Sequence, residues 1–366
     1  MEDIILKNNK ENNKKVLVAM SGGIDSSMTL KLLLDEGYEC VACTMNLYDN
    51  ETAGISKGHT CCSVDDVFDA RTICNKYNVK HYTFNFKDLF KEKVIDKFVN
   101  SYMCGATPNP CIDCNRYMKF DKLFERMKIL NCDFIATGHY VRKEYIDGKY
   151  VLKKAIDLTK DQSYVLYFLN QDQLAQLIFP IGSYEKSNVR EIAKANDFIN
   201  ADKKDSQDIC FVPDGDYVKV IKLNSDKEIK SGNFVDKDGK VIGKHTGIIN
   251  YTIGQHRKLG IPLDGKYFVT KIDADKNEVT LGKEEDLFTD EMNVTNVSFI
   301  SGEIPKNDFI CKVKTRYRKP EELAEVKILD DKNVKVLFIE KQRAITRGQA
   351  AVFYDGDIVL GGGVIG

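Results

Sequence analysis

The sequence predicts an α/β protein built in three parts: an N-terminal parallel sheet with flanking helices, a small mixed central domain and a C-terminal β-barrel. Three observations support this prediction. The 366 residues exceed the length of one ordinary domain. The first half alternates strand-like and helix-like patterns, whereas the chain after about residue 215 consists of short apolar segments broken by glycine and Asp-Gly turns. We place the three domains at residues 1–214, 215–284 and 285–366.

The N-terminal elements follow from hydrophobic periodicity. Strands are predicted at "KVLVAM", "CVACTMN", "VKHYTFNF" and "CDFIATGHY", and helices at "SSMTLKLLLDEGYE", at "SVDDVFDARTICNKYN" and near residues 89–99. Gly37 is placed to end the first helix, and Ser63 with Asp66 is a weak N-terminal signal for the second. In the third strand, alternation puts three aromatic residues on one face: Tyr82, Phe84 and Phe86.

The C-terminal half has the pattern of short strands. We predict strands in "YVKVIK", in "YFVTKIDADKNEVTLG" and in "AVFYDGDIVLGGGV". The "YDGD" of Tyr354 to Asp357 joins two apolar runs and predicts a hairpin turn.

Composition limits the class of protein. Hydrophobic residues make up 43% of the chain and charged residues 30%, which suits packed cores with a polar surface. The N-terminus lacks the apolar core of a signal peptide, and no later stretch approaches the about 20 apolar residues that span a bilayer. We therefore expect a cytoplasmic protein without membrane contact, whose eleven cysteines are not a disulfide framework. The net charge of -1 means that any nucleic-acid contact must come from local basic patches.

A glycine-rich stretch, "AMSGGIDSS", follows the first strand and precedes the first helix. It fits neither GxxxxGK[ST] nor GxGxxG, so it is neither the lysine-bearing phosphate loop nor a dinucleotide fingerprint. Gly22 and Gly23 allow a tight turn close to a ligand, Ser21 and Ser26 offer hydroxyl groups, and the next helix presents unpaired N–H groups. These features predict a cradle for pyrophosphate.

The string "SGGIDS" resembles the PP-loop of ATP pyrophosphatases, which cleave ATP between its α and β phosphates. Further motifs, "TPNPCIDCN", "ATGHYV", "KDQSYVLY", "DSQDICF", "TIGQHRKLGI", "VKTRYR" and "GQAAVFYDGDIVLGGGVI", cover nearly the whole chain. With these motifs the sequence resembles the tRNA-specific 2-thiouridylase family. The resemblance implies an enzyme that adenylates O2 of the wobble uridine with ATP and replaces that oxygen with sulfur.

The resemblance also implies ligand contacts. ATP would bind Ala19, Met20, Ser21, Gly22, Gly23, Ile24, Asp25, Ser26, Met45 and Gly138. Mg²⁺ is expected with the ATP phosphates, and Asp25 would assist the metal or orient the loop. Asn109, Pro110 and Cys111 would lie against the target base. Further tRNA contacts are implied for His139, Lys160, Asp161, Gln162, Arg316, Tyr317 and Gln349.

Two cysteines are implied to carry the chemistry. Cys210 would hold a persulfide, and Cys114 would be the nucleophile or would resolve the persulfide as a disulfide. The sulfur would come from a persulfide donor protein or a sulfide source. We interpret the following cysteines as buried small apolar residues: Cys40, Cys43, Cys74, Cys104, Cys132 and Cys311.

Cys111 departs from the family, many members of which have an aspartate at this position. A base-orienting role of that carboxylate therefore does not transfer. The thiolates of Cys111, Cys114 and Cys210 suit an iron–sulfur cluster that binds an extra sulfide, and zinc with His59, Cys61 or Cys62 is a third alternative. The sequence leaves these alternatives to persulfide transfer open.

A basic segment, "CKVKTRYRK", independently suggests RNA binding. Strand alternation over residues 311–319 would place four cations on one face: Lys312, Lys314, Arg316 and Arg318. Two rival functions remain, a PP-loop ligase acting on a small metabolite and a non-catalytic RNA-binding or metal-sensing protein.

Overall fold

The computed structural model describes residues 12–49, 52, 64–203, 205, 208–212 and 214–366. Ser63, predicted to cap the second helix, lies outside these residues. The N-terminal strands are β1 (Asn12–Ala19), β2 (Tyr38–Asn46), β3 (Lys80–Asn85) and β4 (Phe134–Thr137). A hairpin follows with β5 (Val141–Ile146) and β6 (Lys149–Lys154), and then comes β7 (Leu177–Ile178). Five of these strands form a parallel sheet in the order β3-β2-β1-β4-β7, which confirms the predicted N-terminal architecture.

Helices cover both faces of this sheet. They are α1 (Ile24–Asp35), α2 (Val64–Lys76), α3 (Lys87–Phe90), α4 (Asp96–Met103), α5 (Pro110–Asp113), α6 (Leu123–Ile129), α7 (Gln171–Ala175) and α8 (Lys186–Ala195). Wider π-helical turns at Lys91–Ile95 and Cys114–Lys122 join α3 to α4 and α5 to α6. Alternation along β1 sends Leu17 into one apolar cluster and Val16 and Val18 into the other, and all three are fully buried.

The central part contains one helix that the sequence did not predict. α9 (Tyr217–Leu223) lies where "YVKVIK" predicted a strand, so that prediction is wrong. The Asp216 side chain accepts a hydrogen bond from the Lys219 backbone N–H at 3.1 Å, which fixes the start of the helix. Val220 and Ile221 are buried, and the Tyr217 ring stacks on Tyr102 with centroids 4.7 Å apart. A six-residue apolar pattern fits a short helix as well as a strand. The N-cap hydrogen bond of Asp216 favours the helix.

The remaining strands complete two sheets. The central sheet has the order β10-β11-β8-β9 and consists of β8 (Gly232–Val235), β9 (Val241–His245), β10 (Phe268–Asp273) and β11 (Glu278–Gly282). The C-terminal strands are β12 (Phe288–Phe299), β13 (Phe309–Lys314), β14 (Glu322–Ile328), β15 (Val334–Arg343), β16 (Ala350–Asp355) and β17 (Ile358–Ile365). Pairing of β12 with both β15 and β17 closes the latter six into a barrel, as predicted.

The predicted hairpin turn is present. Asp355 pairs with Ile358, which leaves Gly356 and Asp357 as the two-residue turn, and Gly356 has φ of +58°. The predicted row of four cations is only half formed, because β13 ends at Lys314 and the chain then turns. Lys312 and Lys314 therefore lie on the strand, whereas Arg316 lies in the following turn.

The hairpin of β5 and β6 belongs to the barrel sheet although it lies within the N-terminal half of the chain. β6 pairs antiparallel with β17, with Leu152 opposite Val359. This hairpin is missing from the sequence-based predictions, despite its Asp147-Gly148 turn. It joins the parallel-sheet part to the barrel sheet through the pairing of β6 with β17. In the part of the chain that the structure describes, we find no helix of the length and apolarity that crossing a bilayer demands.

Candidate active site

The glycine-rich loop lies at the carboxyl edge of the parallel sheet, between β1 and α1. The Ser21 N–H donates to Ser26 Oγ at 3.2 Å, and Ser26 Oγ donates to the Gly23 carbonyl oxygen at 2.9 Å. Gly23 is the N-cap of α1 and provides no side chain to cap it. The first N–H groups of the helix are therefore available to an anion.

Two glycines permit close backbone packing around this loop. Gly22 has φ of +76°, and a Cβ there would lie 2.6 Å from Asp66 Cα. A Cβ on Gly138 would lie 2.9 Å from the backbone nitrogen of Ser26. Because β1 and β4 are neighbours in the sheet, the loops that follow them meet at one edge. The predicted ATP residues of both loops are thus brought together, and their binding of ATP stays a prediction.

Met45 reaches the same edge from β2 and is 8% exposed, in the apolar cluster beneath the site. Met20 is also buried. The Thr44 hydroxyl donates to the Met20 carbonyl oxygen at 2.9 Å, and the Met20 N–H donates to the Cys43 carbonyl oxygen at 2.8 Å. These contacts hold the start of the loop against the end of β2.

The loop contains no lysine of its own, but distant segments bring cations to it. Lys203 Nζ lies 3.4 Å from the Gly22 carbonyl oxygen and forms ion pairs with Asp66 at 2.6 Å and Asp69 at 2.7 Å. Asn200 Nδ2 donates to the same carbonyl oxygen at 3.0 Å. Burial lowers the pKa of Lys203, but hydrogen bonds and charge from Asp66 and Asp69 outweigh this effect and raise the pKa overall. Sequence reasoning missed both residues, because no local pattern links residues 200–203 to the loop.

Removing the Lys203 ammonium group should weaken ATP binding. Lys203→Met leaves two carboxylates facing each other beside the loop, which we expect to cost on the order of 1–2 kcal/mol and so to raise the KM for ATP about tenfold. The measurement is tRNA-dependent AMP release at varied ATP. Lys194→Met is the matched control, because Lys194 pairs with an exposed carboxylate, Asp202. An unchanged KM in Lys203→Met would show that the loop does not depend on this cation.

A chain of charges connects the loop with two other motifs. Lys186, which is 6% exposed, donates to both carboxylate oxygens of Asp25 at 2.6 and 2.7 Å and pairs with Asp205 at 3.0 Å. Asp205 also pairs with Lys160 at 2.8 Å. Burial would raise the pKa of Asp205, but Lys160 and Lys186 hold it below its ordinary value. The network therefore joins the loop, the "KDQSY" motif and the start of the "DSQDIC" motif.

Asp25 is held from a second direction. The Tyr140 hydroxyl donates to Asp25 Oδ1 at 2.9 Å. The Tyr140 backbone N–H in turn donates to Gln162 Oε1 at 2.9 Å. With Lys186 on both oxygens, the carboxylate of Asp25 is placed to orient the loop.

Cys114 lies at the start of the π-helical turn that follows α5. Asn109 begins α5 by accepting a hydrogen bond from the Cys111 N–H at 3.1 Å, and Pro110 takes the first helical position. This geometry places Cys114 inward, 9% exposed and within the main apolar cluster. It is the most deeply buried of the three motif cysteines.

Cys210 packs against the same apolar cluster and is partly exposed. The Tyr48 hydroxyl donates to the Cys210 carbonyl oxygen at 2.6 Å. The next residue, Phe211, is buried among aromatic rings, with centroids 5.8 Å from Phe90 and 5.3 Å from Phe98. These contacts fix the cysteine's position at the border between core and solvent.

The arrangement does not provide the three-thiolate metal centre considered from the sequence. Cys111 is exposed, three residues before the buried Cys114. Within the described ranges, no group of three His, Cys, Asp or Glu side chains is placed to hold a metal ion. His59, Cys61 and Cys62 lie outside those ranges. The residues that are described therefore do not fit a cluster on Cys111, Cys114 and Cys210.

Five of the six cysteines interpreted as apolar are buried, as predicted: Cys40, Cys43, Cys74, Cys132 and Cys311. Burial raises the pKa of Cys74 and of Cys311 to about 12, so that their thiols stay protonated at neutral pH. Cys104 is exposed, so the prediction that it is buried is wrong. It follows the end of α4, where the chain leaves the core.

The residues implied to contact tRNA come from five segments, four of which contact one another in pairs where the barrel touches the N-terminal part. Gln349 Nε2 donates to the Thr107 carbonyl oxygen at 2.7 Å, and this docks the "TPNPC" loop on the barrel. The Tyr317 hydroxyl donates to the Asp161 carbonyl oxygen at 3.0 Å. Burial raises the pKa of Tyr317, and the nearby Asp161 and Cys111 raise it further.

Two of the residues in this group point into the protein. The Asp161 carboxylate accepts from the Ser163 hydroxyl at 2.7 Å and from the Ala155 N–H at 3.0 Å. His139 is 5% exposed, with its ring nitrogens 2.8 Å from Thr137 Oγ1 and 3.2 Å from Asn115 Oδ1. Burial lowers the pKa of His139 well below its ordinary value, so the ring is neutral at pH 7. Their tRNA contacts stay predictions, and the geometry suits positioning roles.

Comparison with known proteins assigns the chain to a family. Residues 14–214 match the model of the tRNA methyl transferase HUP domain, residues 222–283 its PRC-barrel domain, and residues 289–365 the aminomethyltransferase β-barrel domain. The tRNA-specific 2-thiouridylase MnmA of Clostridium acetobutylicum is 47% identical over 96% of this chain and 99% of its own. The chain belongs to the tRNA-specific 2-thiouridylase family. A second 2-thiouridylase, MnmA 2 of Caldanaerobacter subterraneus, is 48% identical over 97% of this chain and 98% of its own.

Solved structures with lower sequence identity than these 2-thiouridylase relatives also align with part of the chain. The NMN synthetase from Francisella tularensis aligns with a TM-score of 0.34 and 19% identity over 60% of this chain and 79% of that chain. A 4-thiouridine synthetase solved with RNA and ATP also gives a TM-score of 0.34, at 16% identity over 57% of this chain and 50% of that chain. At this level of structural similarity, the geometry of their sites is not transferred to this chain.

Proposed function

We propose that this chain is an ATP-dependent tRNA sulfurtransferase that converts the wobble uridine to 2-thiouridine. The observation that carries the proposal is the charge network from Asp25 through Lys186 and Asp205 to Lys160. It joins the phosphate loop to a segment implied in RNA binding and to the segment that leads to Cys210. A small-molecule ligase would need neither of these last two segments at its phosphate loop.

The first step activates the leaving oxygen. The backbone N–H groups at the start of α1 and the loop around Gly22 would hold the ATP phosphates, with Met45 as an apolar wall toward the adenine. O2 of the uridine attacks the α-phosphorus atom, the bond to the β-phosphate breaks, and pyrophosphate leaves. Mg²⁺ would arrive bound to the ATP phosphates, where it neutralises charge on the leaving pyrophosphate. Asp25 would orient the loop, since Lys186 and Tyr140 already engage its carboxylate.

The second step replaces the activated oxygen with sulfur. A persulfide donor protein transfers its terminal sulfur to the Cys210 thiolate and keeps its own thiol, and the resulting Cys210 persulfide attacks C2, so that AMP departs with the former O2. Cys114 then attacks the Cys210 sulfur, which forms a disulfide and leaves the terminal sulfur on C2 as the thiocarbonyl. A thiol reductant restores both cysteines. The partly exposed position of Cys210 and the buried position of Cys114 support this division of roles.

The RNA would lie over the junction of barrel and N-terminal part. Asn109, Pro110 and Cys111 would contact the target base, and Lys160, Arg316, Tyr317 and Gln349 would contact neighbouring nucleotides. Asp161, Gln162 and His139 would hold these contacts in place through their internal hydrogen bonds. Because the substrate is tRNA and the cysteines must be reduced, we place the reaction in the cytoplasm.

The experiment uses purified protein with an unmodified tRNA transcript whose anticodon begins with uridine, together with ATP, a persulfide donor protein and a thiol reductant. We expect 2-thiouridine in nuclease digests, and AMP and pyrophosphate in the supernatant. AMP formation with a small amine acceptor and no RNA product would favour the ligase. tRNA binding without any AMP would favour a non-catalytic RNA-binding protein.

A further inference from the structure

A basic cavity lies between the central sheet and the barrel, next to the site described above, with which it shares Arg316. It has a volume of about 330 Å³ and is lined by residues 252–257 of the "TIGQHR" motif and by three residues of the barrel part, Arg316, Arg343 and Ala344. Three arginines therefore reach one cavity from three separate segments: Arg257, Arg316 and Arg343.

Most of the groups that hold Arg316 and Arg343 in place are neutral, so the positive charge of the two guanidinium groups is largely not neutralised. Arg316 Nη2 donates to Thr346 Oγ1 and lies 3.4 Å from the carbonyl oxygens of Ile253 and Ala344. The Arg343 guanidinium lies 5.3 Å from the centre of the Phe268 ring. Its Nε lies 3.3 Å from a carboxylate oxygen of Glu284, which is half exposed.

Negative charge does not balance this cluster. Arg257 is exposed and forms no ion pair with the carboxylates of the described residues. Lys319 adds a further cation, because its Nζ donates to the Arg343 carbonyl oxygen at 2.8 Å. Burial lowers the pKa of Lys319, and so do the charges of Arg316 and Arg343. Two carboxylates, Glu284 beside Arg343 and Glu322 near Lys319, thus face four cations, and an anion in the cavity would relieve the remaining repulsion.

We propose that this cavity binds a backbone phosphate of the tRNA, next to the surface where the target base would bind. The inference rests on the proposed function. Arg316 lines the cavity, and the next residue, Tyr317, donates to Asp161 of the RNA-binding surface. The planar donor fork of arginine matches phosphate oxygens, and several arginines around one cavity suit an anion better than a base edge.

The site would position the RNA rather than select its sequence. A phosphate contact gives no information about bases, but it fixes the register of the strand on the protein. A phosphate in this cavity would contact the central part and the barrel, while the target base would contact the N-terminal part. Bound RNA would therefore contact all three parts of the chain. It also gives the "TIGQHR" motif a role, which the sequence could not assign.

The test measures tRNA affinity against salt concentration for wild type, Arg257→Gln and Arg343→Gln. Arg257 is exposed, so its replacement leaves the fold intact. We expect weaker binding and a loss of about 0.7 to 0.9 from the slope of log K against log salt for each arginine removed. Lys332→Gln is the matched control: it removes a cation at the opposite end of the ten-residue strand β15, roughly 30 Å away, and should leave the slope unchanged.

Two outcomes would overturn the inference. Wild-type slopes in both arginine variants would show that no RNA phosphate occupies the cavity. Loss of pyrophosphate binding, measured by calorimetry, with an unchanged tRNA slope would assign the cavity to a free phosphate compound. Because 2-thiouridine formation is measured separately, a wild type that thiolates tRNA while the slopes stay constant would remove this inference and leave the proposed function standing.

Discussion

Replacing Cys114 or Cys210 with alanine is expected to reduce 2-thiouridine to background while tRNA-dependent exchange of pyrophosphate into ATP continues. The adenylation step needs only the phosphate loop and the uridine oxygen, whereas sulfur transfer needs both thiols. Alanine suits Cys114 because a serine hydroxyl would be buried there in an apolar cluster. The measurements are nuclease digestion of the tRNA and pyrophosphate exchange on the same preparation.

Cys132→Ala is the matched control for the loss of a buried thiol. Cys132 is 8% exposed and belongs to the same apolar cluster as Cys114, so its replacement disturbs the same core without touching the proposed chemistry. We expect the control to thiolate tRNA at close to the wild-type rate. Wild-type levels of 2-thiouridine from Cys114→Ala or Cys210→Ala would contradict the role assigned to that cysteine.

Cys111→Ser separates persulfide transfer from a three-thiolate centre. The persulfide route predicts measurable product, because the serine keeps a polar group beside the target base. A cluster would require this thiolate as much as the other two. Loss of product as complete as in Cys114→Ala would therefore contradict persulfide transfer.

Gly22→Ala is expected to lower AMP release by on the order of 100-fold. A positive φ costs a side chain roughly 1–2 kcal/mol, and the overlap of the new Cβ with the Asp66 backbone costs about as much again. A total near 3 kcal/mol corresponds to roughly two factors of ten in rate. The overlap can be relieved only by moving the loop away from α2, which disrupts the phosphate cradle.

Gly148→Ala provides the control for backbone strain alone. Gly148 has φ of +81° in the hairpin between β5 and β6, and an added Cβ there would meet no atom within 4 Å. It should lose about 1 kcal/mol of stability and keep its AMP release. If the two variants lost AMP release equally, the effect would be general destabilisation and not a defect of the loop.

Local sequence patterns predicted the parallel sheet, the closed barrel and the position of the phosphate loop, since each depends on periodicity or on adjacent glycines. They failed at Tyr217–Leu223, where a short apolar pattern fits a helix and a strand equally well. They also missed the pairing of β6 with β17, because that contact spans about two hundred residues.

The candidate site shows the same limit. The loop itself was visible in the sequence, but its cations, Lys186 and Lys203, come from far along the chain and carry no motif. The resemblance supplied Asp161 and His139 as RNA contacts, whereas the structure places their side chains inside the protein. Only packing and hydrogen bonding distinguish a residue that contacts a ligand from one that supports it.

The central claim is that the uridine oxygen leaves as part of AMP, and isotopic labelling tests it most directly. The substrate is a tRNA whose wobble uridine carries ¹⁸O at position 2, incubated with the protein, ATP and a sulfur source in ordinary water. We predict that the label appears in the phosphate of AMP, in step with the formation of 2-thiouridine. Label in water or in pyrophosphate, with AMP unlabelled, would contradict the account.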